Sequence, residues 1–130
     1  MAFGVFDRLH AGHLYFLRQA RLRGDRLVAV IARASAVFKL KKKIPSDSAN
    51  MRLWALRRLG IVWKAVPGDR KQGSYAVVRK YKPAVICLGY DQWVLRRDIR
   101  EKIRLGVLPD ITLMRLGPYK PKRYHTSIRL

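Results

Sequence analysis

Two histidines three residues apart, with a glycine between them, are the side chains of this chain best suited to chemistry. They stand in the segment Gly4-Val5-Phe6-Asp7-Arg8-Leu9-His10-Ala11-Gly12-His13. Imidazole nitrogens can donate hydrogen bonds to phosphate oxygens, and a glycine lets the backbone approach a ligand closely. A helix that starts here adds its unpaired N–H groups and the positive end of its dipole. The segment therefore predicts a phosphate-binding junction, and a plain helix start with two surface histidines is the structural alternative.

The elements on either side of the two histidines fit such a junction. The apolar residues Phe3 to Phe6 can form a strand, and Leu14 to Arg23 has helical spacing, with Gly24 expected to cap the helix. Met1 lies only two residues before Phe3, so we expect a short first strand, either because the start is truncated or because the sheet edge is frayed. A strand that turns into a helix would bring helix N–H groups to the anion.

Apolar runs of strand length alternate with helical segments along the rest of the chain. We predict four more strands, at Arg26–Ala32, Ile61–Val66, Ala84–Leu88 and Ile111–Leu116. We predict three more helices, from Ser46 or Asp47 to Leu59, at Ser74–Lys82 and at Leu95–Leu105. This alternation indicates an α/β fold in which helices cover both faces of a parallel sheet. The 130 residues have the usual size of a single domain, so we predict one domain over 1–130.

The segments that could carry chemistry all follow predicted strands. In a doubly wound parallel sheet the ligand lies beyond the carboxyl ends of the strands, so loops that follow different strands meet at one rim. The four loops are Phe6–His13, Arg33–Lys43, Gly89–Gln92 and Pro118–Ser127.

The segment from Gly4 to His13 resembles the signature Gly-[Thr/Val]-Phe-Asp-x-x-His-x-Gly-His of the cytidylyltransferase-like nucleotidyltransferases. Val5 stands where threonine is commoner, so a hydroxyl contact to the substrate or to the nucleotide is expected to be missing. The resemblance extends from Phe3 to Ser127 and implies a Rossmann-like, doubly wound sheet of five parallel strands in the order 3-2-1-4-5. It also implies transfer of a nucleoside monophosphate to a phosphorylated acceptor, with release of pyrophosphate.

Two further segments resemble the archaeal-type FAD synthase branch of this family. Gly89-Tyr90-Asp91-Gln92 follows Ile86-Cys87-Leu88, and the tail from Pro118 to Ser127 reads Pro-Tyr-Lys-Pro-Lys-Arg-Tyr-His-Thr-Ser. This closer resemblance implies ATP and FMN as the substrates. A CTP-dependent cytidylyltransferase that acts on glycerol phosphate, or on a similar phosphorylated alcohol, is the alternative within the family.

The resemblance also implies the roles of individual residues. As catalytic residues it implies His10, His13 and Lys41. As nucleotide-binding residues it implies Val5, Phe6, His10, Gly12, His13, Asp91, Tyr119, Thr126 and Ser127. For the substrate phosphate it implies Lys39, Lys41 and Arg52, although a solvated basic loop explains the two lysines about as well.

The chemistry implied by the resemblance needs few groups. A phosphate monoester has a second pKa of about 6 and is mostly ionised near neutral pH, so it needs no general base. The protein must align the acceptor phosphate with the α-phosphorus of the nucleotide and supply positive charge, helped by Mg²⁺ or another divalent cation that accompanies ATP or CTP.

Other nucleotide-binding and metal-binding motifs are not found in the sequence. It carries no Gly-x-Gly-x-x-Gly after the first strand and no Walker loop, and two histidines across a turn are a weak metal site.

The net charge of the chain indicates which classes of ligand it attracts. Lys and Arg number 29 against 8 Asp and Glu, giving a formal net charge of +21 that is spread along the whole sequence. Such a field attracts phosphorylated small molecules, and nucleic acids non-specifically at low salt. A basic nucleic-acid-binding protein without catalytic activity is therefore the alternative of another class. The family is also compatible with a homodimer.

The single cysteine and the length of the apolar runs are informative about the cellular compartment and about membrane association. Cys87 excludes an intrachain disulfide, suits a reducing cytoplasm, and is expected to be a buried strand thiol. No apolar run has the length of a membrane span, so we expect no membrane partner.

Overall fold

In a computed structural model, which describes residues 1–33, 44–71 and 73–119, five strands form one parallel sheet. The strand order is β3-β2-β1-β4-β5, which confirms the predicted order. The strands are β1 (Ala2–Gly4), β2 (Val28–Ile31), β3 (Lys64–Pro67), β4 (Val85–Gly89) and β5 (Thr112–Leu116). The helices of the described ranges are α1 (Ala11–Arg21), α2 (Ala49–Arg57), α3 (Ala76–Tyr81) and α4 (Trp93–Arg104).

The helices bury the two faces of the sheet in separate clusters. On one face Leu17 of α1 and Leu56 of α2 are fully buried, and on the other Val78 of α3 and Ile99 of α4 are buried. All four residues of β2 are buried, as predicted for a strand covered on both sides. Cys87 of β4 is also buried, and desolvation raises the pKa of its thiol.

The first strand is short but central, so the prediction of a frayed sheet edge is wrong. Residues Ala2 to Gly4 pair with β2 on one side, and Ala2 pairs with Cys87 of β4 on the other. The strand stops before the predicted end at Phe6, because Phe6 takes a left-handed backbone conformation with φ of 52°. Its buried ring folds back beneath Gly4, where a Cβ atom would lie 2.8 Å from Phe6 Cζ. Gly4 is therefore the residue that this turn requires.

Helix α1 begins earlier and ends earlier than its spacing predicts. It starts at Ala11 because the side chain of His10 caps it, although histidine is not among the preferred capping residues. It ends at Arg21, with Leu22 in a right-handed conformation, so the predicted cap at Gly24 is wrong. The Arg21 side chain instead donates to the Gly24 carbonyl over 2.8 Å.

Helix α2 is capped by Ser48, not by Ser46 or Asp47. Ser48 Oγ accepts the Met51 N–H over 3.2 Å. The remaining boundaries differ by at most three residues. Ile61 and Val62 pack against the core from a turn ahead of β3, and α4 begins at Trp93. Within the described residues, no helix is both long and apolar enough to span a membrane.

Candidate active site

The imidazole side chains of His10 and His13 cap the start of helix α1. The Gly12 N–H donates to His10 Nδ1 over 3.1 Å, and the His10 N–H donates to His13 Nδ1 over 3.2 Å. The rings stack, with centroids 3.8 Å apart and an interplanar angle of 22°. Because each Nδ1 accepts a backbone N–H, the proton of each neutral ring lies on Nε2. The pair therefore supplies two Nε2–H donors at the N-terminus of an eleven-residue helix.

The neighbours of this pair hold the rings in place. His13 packs edge-on against the buried ring of Phe6, with centroids 5.7 Å apart. At Gly12 a Cβ atom would lie 3.0 Å from His10 Cε1 and 3.2 Å from His10 Nδ1. Glycine is thus needed here to make room for the His10 ring as well as for any ligand.

A carboxylate in the same turn ties it to helix α2. Asp7 accepts the N–H groups of Ser46 and Asp47, each over 2.8 Å, and Asp47 in turn accepts the Arg8 N–H over 3.1 Å. Desolvation alone would raise the pKa of Asp7, but the two N–H donors and the charges of Arg52 and Arg8 outweigh it, so the pKa is lowered. This contact fixes the histidine-bearing turn from a position 40 residues along the chain.

Arg52 lies beneath the rim and is fully buried. Its Nη1 donates to the carbonyl of Val5 over 3.1 Å and to that of Ala32 over 2.7 Å, and so joins the chain just beyond the ends of β1 and β2. Burial lowers the pKa of Arg52, while Asp7 and Asp47 act in the opposite direction. Its Nε and Nη2 atoms have no hydrogen-bond partner within the part of the chain that the structure describes.

The loop after β4 is attached to β1 by Gln92. The Gln92 side chain accepts the Gly89 N–H over 2.7 Å and donates to the Phe3 carbonyl over 2.9 Å. Asp91 is exposed at this rim, two residues before the start of α4 at Trp93. Gly89 has little room for a side chain, because a Cβ atom would lie 3.1 Å from Asp91 Oδ1.

The loop after β5 reaches the start of helix α1. The rings of Tyr119 and Tyr15 lie 5.6 Å apart, and Tyr119 Cβ lies 4.0 Å from the position that a Cβ of Gly12 would take. The structure therefore brings Val5, Phe6, His10, Gly12, His13 and Tyr119 together. Lys39, Lys41, Thr126 and Ser127 lie outside the described residues.

Two of the residues that hold this site together were not among the predicted site residues. Asp7 stands inside the histidine segment, and Gln92 stands inside Gly89-Tyr90-Asp91-Gln92. Their positions next to the predicted residues were the available signal. Their partners, 40 and 89 residues away, could be found only in the fold.

Metal ligands are sparse around the rim. Among the described residues, no group of three or more His, Cys, Asp or Glu side chains could hold a metal ion.

Comparisons with known proteins find related sequences and a related structure. Residues 1–109 match the family model described as cytidylyltransferase-like. An FAD synthase of Aciduliprofundum boonei is 45% identical over 104 residues, which cover 80% of this chain and 68% of that protein. One from Pyrococcus abyssi is 40% identical over 126 residues, covering 95% of this chain and 84% of the relative. The crystal structure of a lipopolysaccharide core biosynthesis protein from Thermoplasma volcanium superposes with a TM-score of 0.82, at 35% identity, over 92% of this chain and 96% of that one.

Proposed function

Because the chain belongs to the cytidylyltransferase-like family and is a nucleotidyltransferase, we propose that it transfers the adenylyl group of ATP to the phosphate of FMN. The products are FAD and pyrophosphate. The observation that supports this choice of substrates is the similarity to archaeal FAD synthases at 35% to 45% identity. It includes relatives aligned over 95% of the chain, from the histidine turn to the tail.

The reaction requires alignment more than acid–base chemistry. A terminal phosphate oxygen of FMN attacks the α-phosphorus of ATP, and the bond from that phosphorus to the oxygen bridging to the β-phosphate breaks. The attacking group is already ionised near neutral pH because its second pKa is about 6, so no proton must be removed. Negative charge builds on the oxygens around the α-phosphorus and on the departing pyrophosphate.

The histidine pair is suited to stabilise that charge. In our proposal the Nε2–H groups of His10 and His13 donate to oxygens of the α-phosphate and of the leaving pyrophosphate. The first N–H groups of α1 and the positive end of its dipole act on the same anion. Because the capping bonds orient both rings before ATP arrives, little reorganisation is needed during the reaction.

The other predicted residues complete the site in this proposal. Lys41, with Lys39 beside it, neutralises the phosphates, and Asp91 and Tyr119 contact the nucleotide together with Thr126 and Ser127. Arg52 is fully buried and already donates to two carbonyls, so in our proposal its charge acts on the phosphates from beneath the rim, without a direct contact. The divalent cation arrives as part of the Mg·ATP substrate, and no step of our proposal depends on a resident metal.

The test is a direct assay of both products. Purified protein is incubated with MgCl₂, ATP and FMN, pyrophosphate is followed by a coupled assay, and FAD is identified by mass spectrometry. Parallel reactions contain CTP, glycerol phosphate and each crossed pair. We expect FAD only from ATP with FMN, and a loss of at least about 100-fold in kcat for His10→Asn.

A matched control separates chemistry from general effects on α1. Arg18→Gln changes an exposed side chain further along the same helix and should leave kcat within about twofold. If the protein instead transfers a cytidylyl group from CTP to glycerol phosphate, the alternative pair of substrates replaces ATP and FMN in the proposal. Absence of pyrophosphate with every pair, from protein shown by circular dichroism to be folded, would refute the proposal.

A further inference from the structure

Two exposed tryptophans, each beneath an arginine, lie away from the candidate active site. Trp54 of α2 is 55% exposed, and the guanidinium carbon of Arg58 lies 4.7 Å from its ring centroid. Trp63, just before β3, is 46% exposed, and the guanidinium carbon of Arg26 lies 4.0 Å from its ring centroid. Neither ring contributes to the buried clusters of the core.

The two tryptophans stand on elements that contact each other. Trp54 lies on α2, and Trp63 directly precedes β3, where its N–H donates to the Leu27 carbonyl over 2.9 Å and the Lys64 ammonium lies 5.4 Å from its ring centroid. The Arg57 side chain donates to the Ala65 carbonyl over 2.9 Å and joins the last turn of α2 to β3. We call this surface the Trp54–Trp63 face, and its residues are Arg26, Trp54, Arg57, Arg58, Trp63 and Lys64.

The Trp54–Trp63 face is strongly cationic. The segment from Ala49 to Val66 contains no acidic residue, and Asp25 is the single carboxylate between Arg23 and Leu27. Both ion pairs of the described residues lie within α4, so none neutralises this face. On a chain of net charge +21, a second copy would be repelled here and a polyanion attracted.

We propose that the Trp54–Trp63 face binds single-stranded nucleic acid. Bases stack on the two indole rings, and the surrounding arginines and Lys64 contact the phosphates. Exposed aromatic rings among cations are the usual means of binding single strands, because every base has a flat face that can stack. A duplex cannot use the rings in this way, since its bases are already stacked on each other.

This surface is distinct from the nucleotide rim. Trp63 and Arg26 precede β3 and β2, whereas the rim lies at the carboxyl ends of the strands. A four-residue strand spans roughly 13 Å, at about 3.3 Å per residue. Substitutions on the Trp54–Trp63 face should therefore change binding of an oligonucleotide and leave nucleotidyl transfer intact, and the inference does not depend on the identity of the acceptor.

The experiment measures fluorescence anisotropy of a labelled 12-nucleotide oligouridylate against the full chain at 50 to 200 mM KCl. Stacking on one ring accounts for roughly 5- to 150-fold in affinity, so Trp54→Ala with Trp63→Ala should weaken binding at least about tenfold. Arg26→Gln with Arg58→Gln should reduce the slope of log K against log salt by about 1.4. Trp93→Ala, which removes the third and 61% exposed tryptophan, is the matched control and should bind as the unaltered protein does.

The single variant Trp54→Ala and a vesicle-binding measurement complete the test. Trp54→Ala alone changes only the outer face of α2, so it tests the inference even if the double variant does not fold. Equal affinity of the unaltered protein and the tryptophan variants would overturn the proposal. An equal loss of affinity in Trp93→Ala would overturn it as well. Binding of each variant to vesicles of phosphatidylserine and phosphatidylcholine is measured in parallel, and weaker vesicle binding with unchanged oligonucleotide binding would also overturn the proposal.

Discussion

Substitution of Gly12 by alanine tests whether the histidine rings must stay where the helix start holds them. The new Cβ atom would lie 3.0 Å from His10 Cε1, whereas carbon atoms in favourable contact are about 3.5 to 4.0 Å apart. The His10 ring must therefore move by about half an ångström or more. The hydrogen bond from the residue 12 N–H to His10 Nδ1, now 3.1 Å, is weakened by the same movement.

The expected effects on stability and on catalysis differ in size. Alanine in place of glycine favours a helix by about 1 kcal/mol, and loss of an N-cap costs about 0.5 to 2 kcal/mol. These effects offset each other, so the free energy of unfolding should change by no more than about 1 kcal/mol. A misplacement of about 1 Å at a reacting centre can lower a rate about 100-fold, so kcat should fall roughly 10- to 100-fold.

Pyrophosphate release and thermal unfolding of the same preparation measure both quantities. Gly24→Ala is the matched control, because no heavy atom lies within 4 Å of a Cβ built at Gly24, and it should leave kcat unchanged. Unaltered kcat in Gly12→Ala would refute the reasoning, since the ring position would then be irrelevant to the rate. A fall in melting temperature of more than about 10 °C would show that the substitution acts on the fold instead.

Two further predictions concern the residues that support the turn. The pKa of Asp7 is lowered in the folded chain, so its stabilising effect is fully present above the unfolded pKa of about 4 and is lost as the pH falls through the lower folded value. Urea unfolding from pH 3 to 7 should therefore show Asp7→Asn to be least stable relative to the unaltered protein near neutrality, and a constant difference would contradict this. Arg52→Met leaves the Val5 and Ala32 carbonyls without their buried donor and should lower the free energy of unfolding by about 2 to 3 kcal/mol. Arg52→Lys, which keeps one cationic donor, should lose less in the same urea titration, and equal midpoints for both variants would count against the role of Nη1.

The sequence was sufficient to predict the architecture because the strands are strongly apolar and the helices amphipathic. A run such as Val28 to Ile31, rich in β-branched residues, is typical of a strand buried on both faces, and the order of the strands followed from the family resemblance. The grouping of the strand-end loops at one rim then followed from the parallel arrangement. The contacts between Tyr119 and α1, and between Gln92 and β1, agree with it.

The details that local sequence could not predict depend on distant partners or unusual caps. Ser48 rather than Ser46 caps α2, and the segment ahead of it is held by the distant carboxylate of Asp7, which accepts the N–H groups of Ser46 and Asp47. Helix α1 starts at Ala11 because an imidazole caps it, which rules for preferred caps do not include. The complete burial of Arg52 is likewise set by two carbonyls at the ends of different strands.

The imidazole cap of α1 constrains how this protein can be engineered. Serine or aspartate at position 10 is the replacement that a search for thermal stability would select, because either is a better helix cap than histidine. Each would also remove the Nε2–H that we assign to the phosphate. Heat-resistant variants that keep their turnover must therefore gain stability at other positions, because at position 10 the residue that gives the higher thermal stability is not the one that gives the higher kcat.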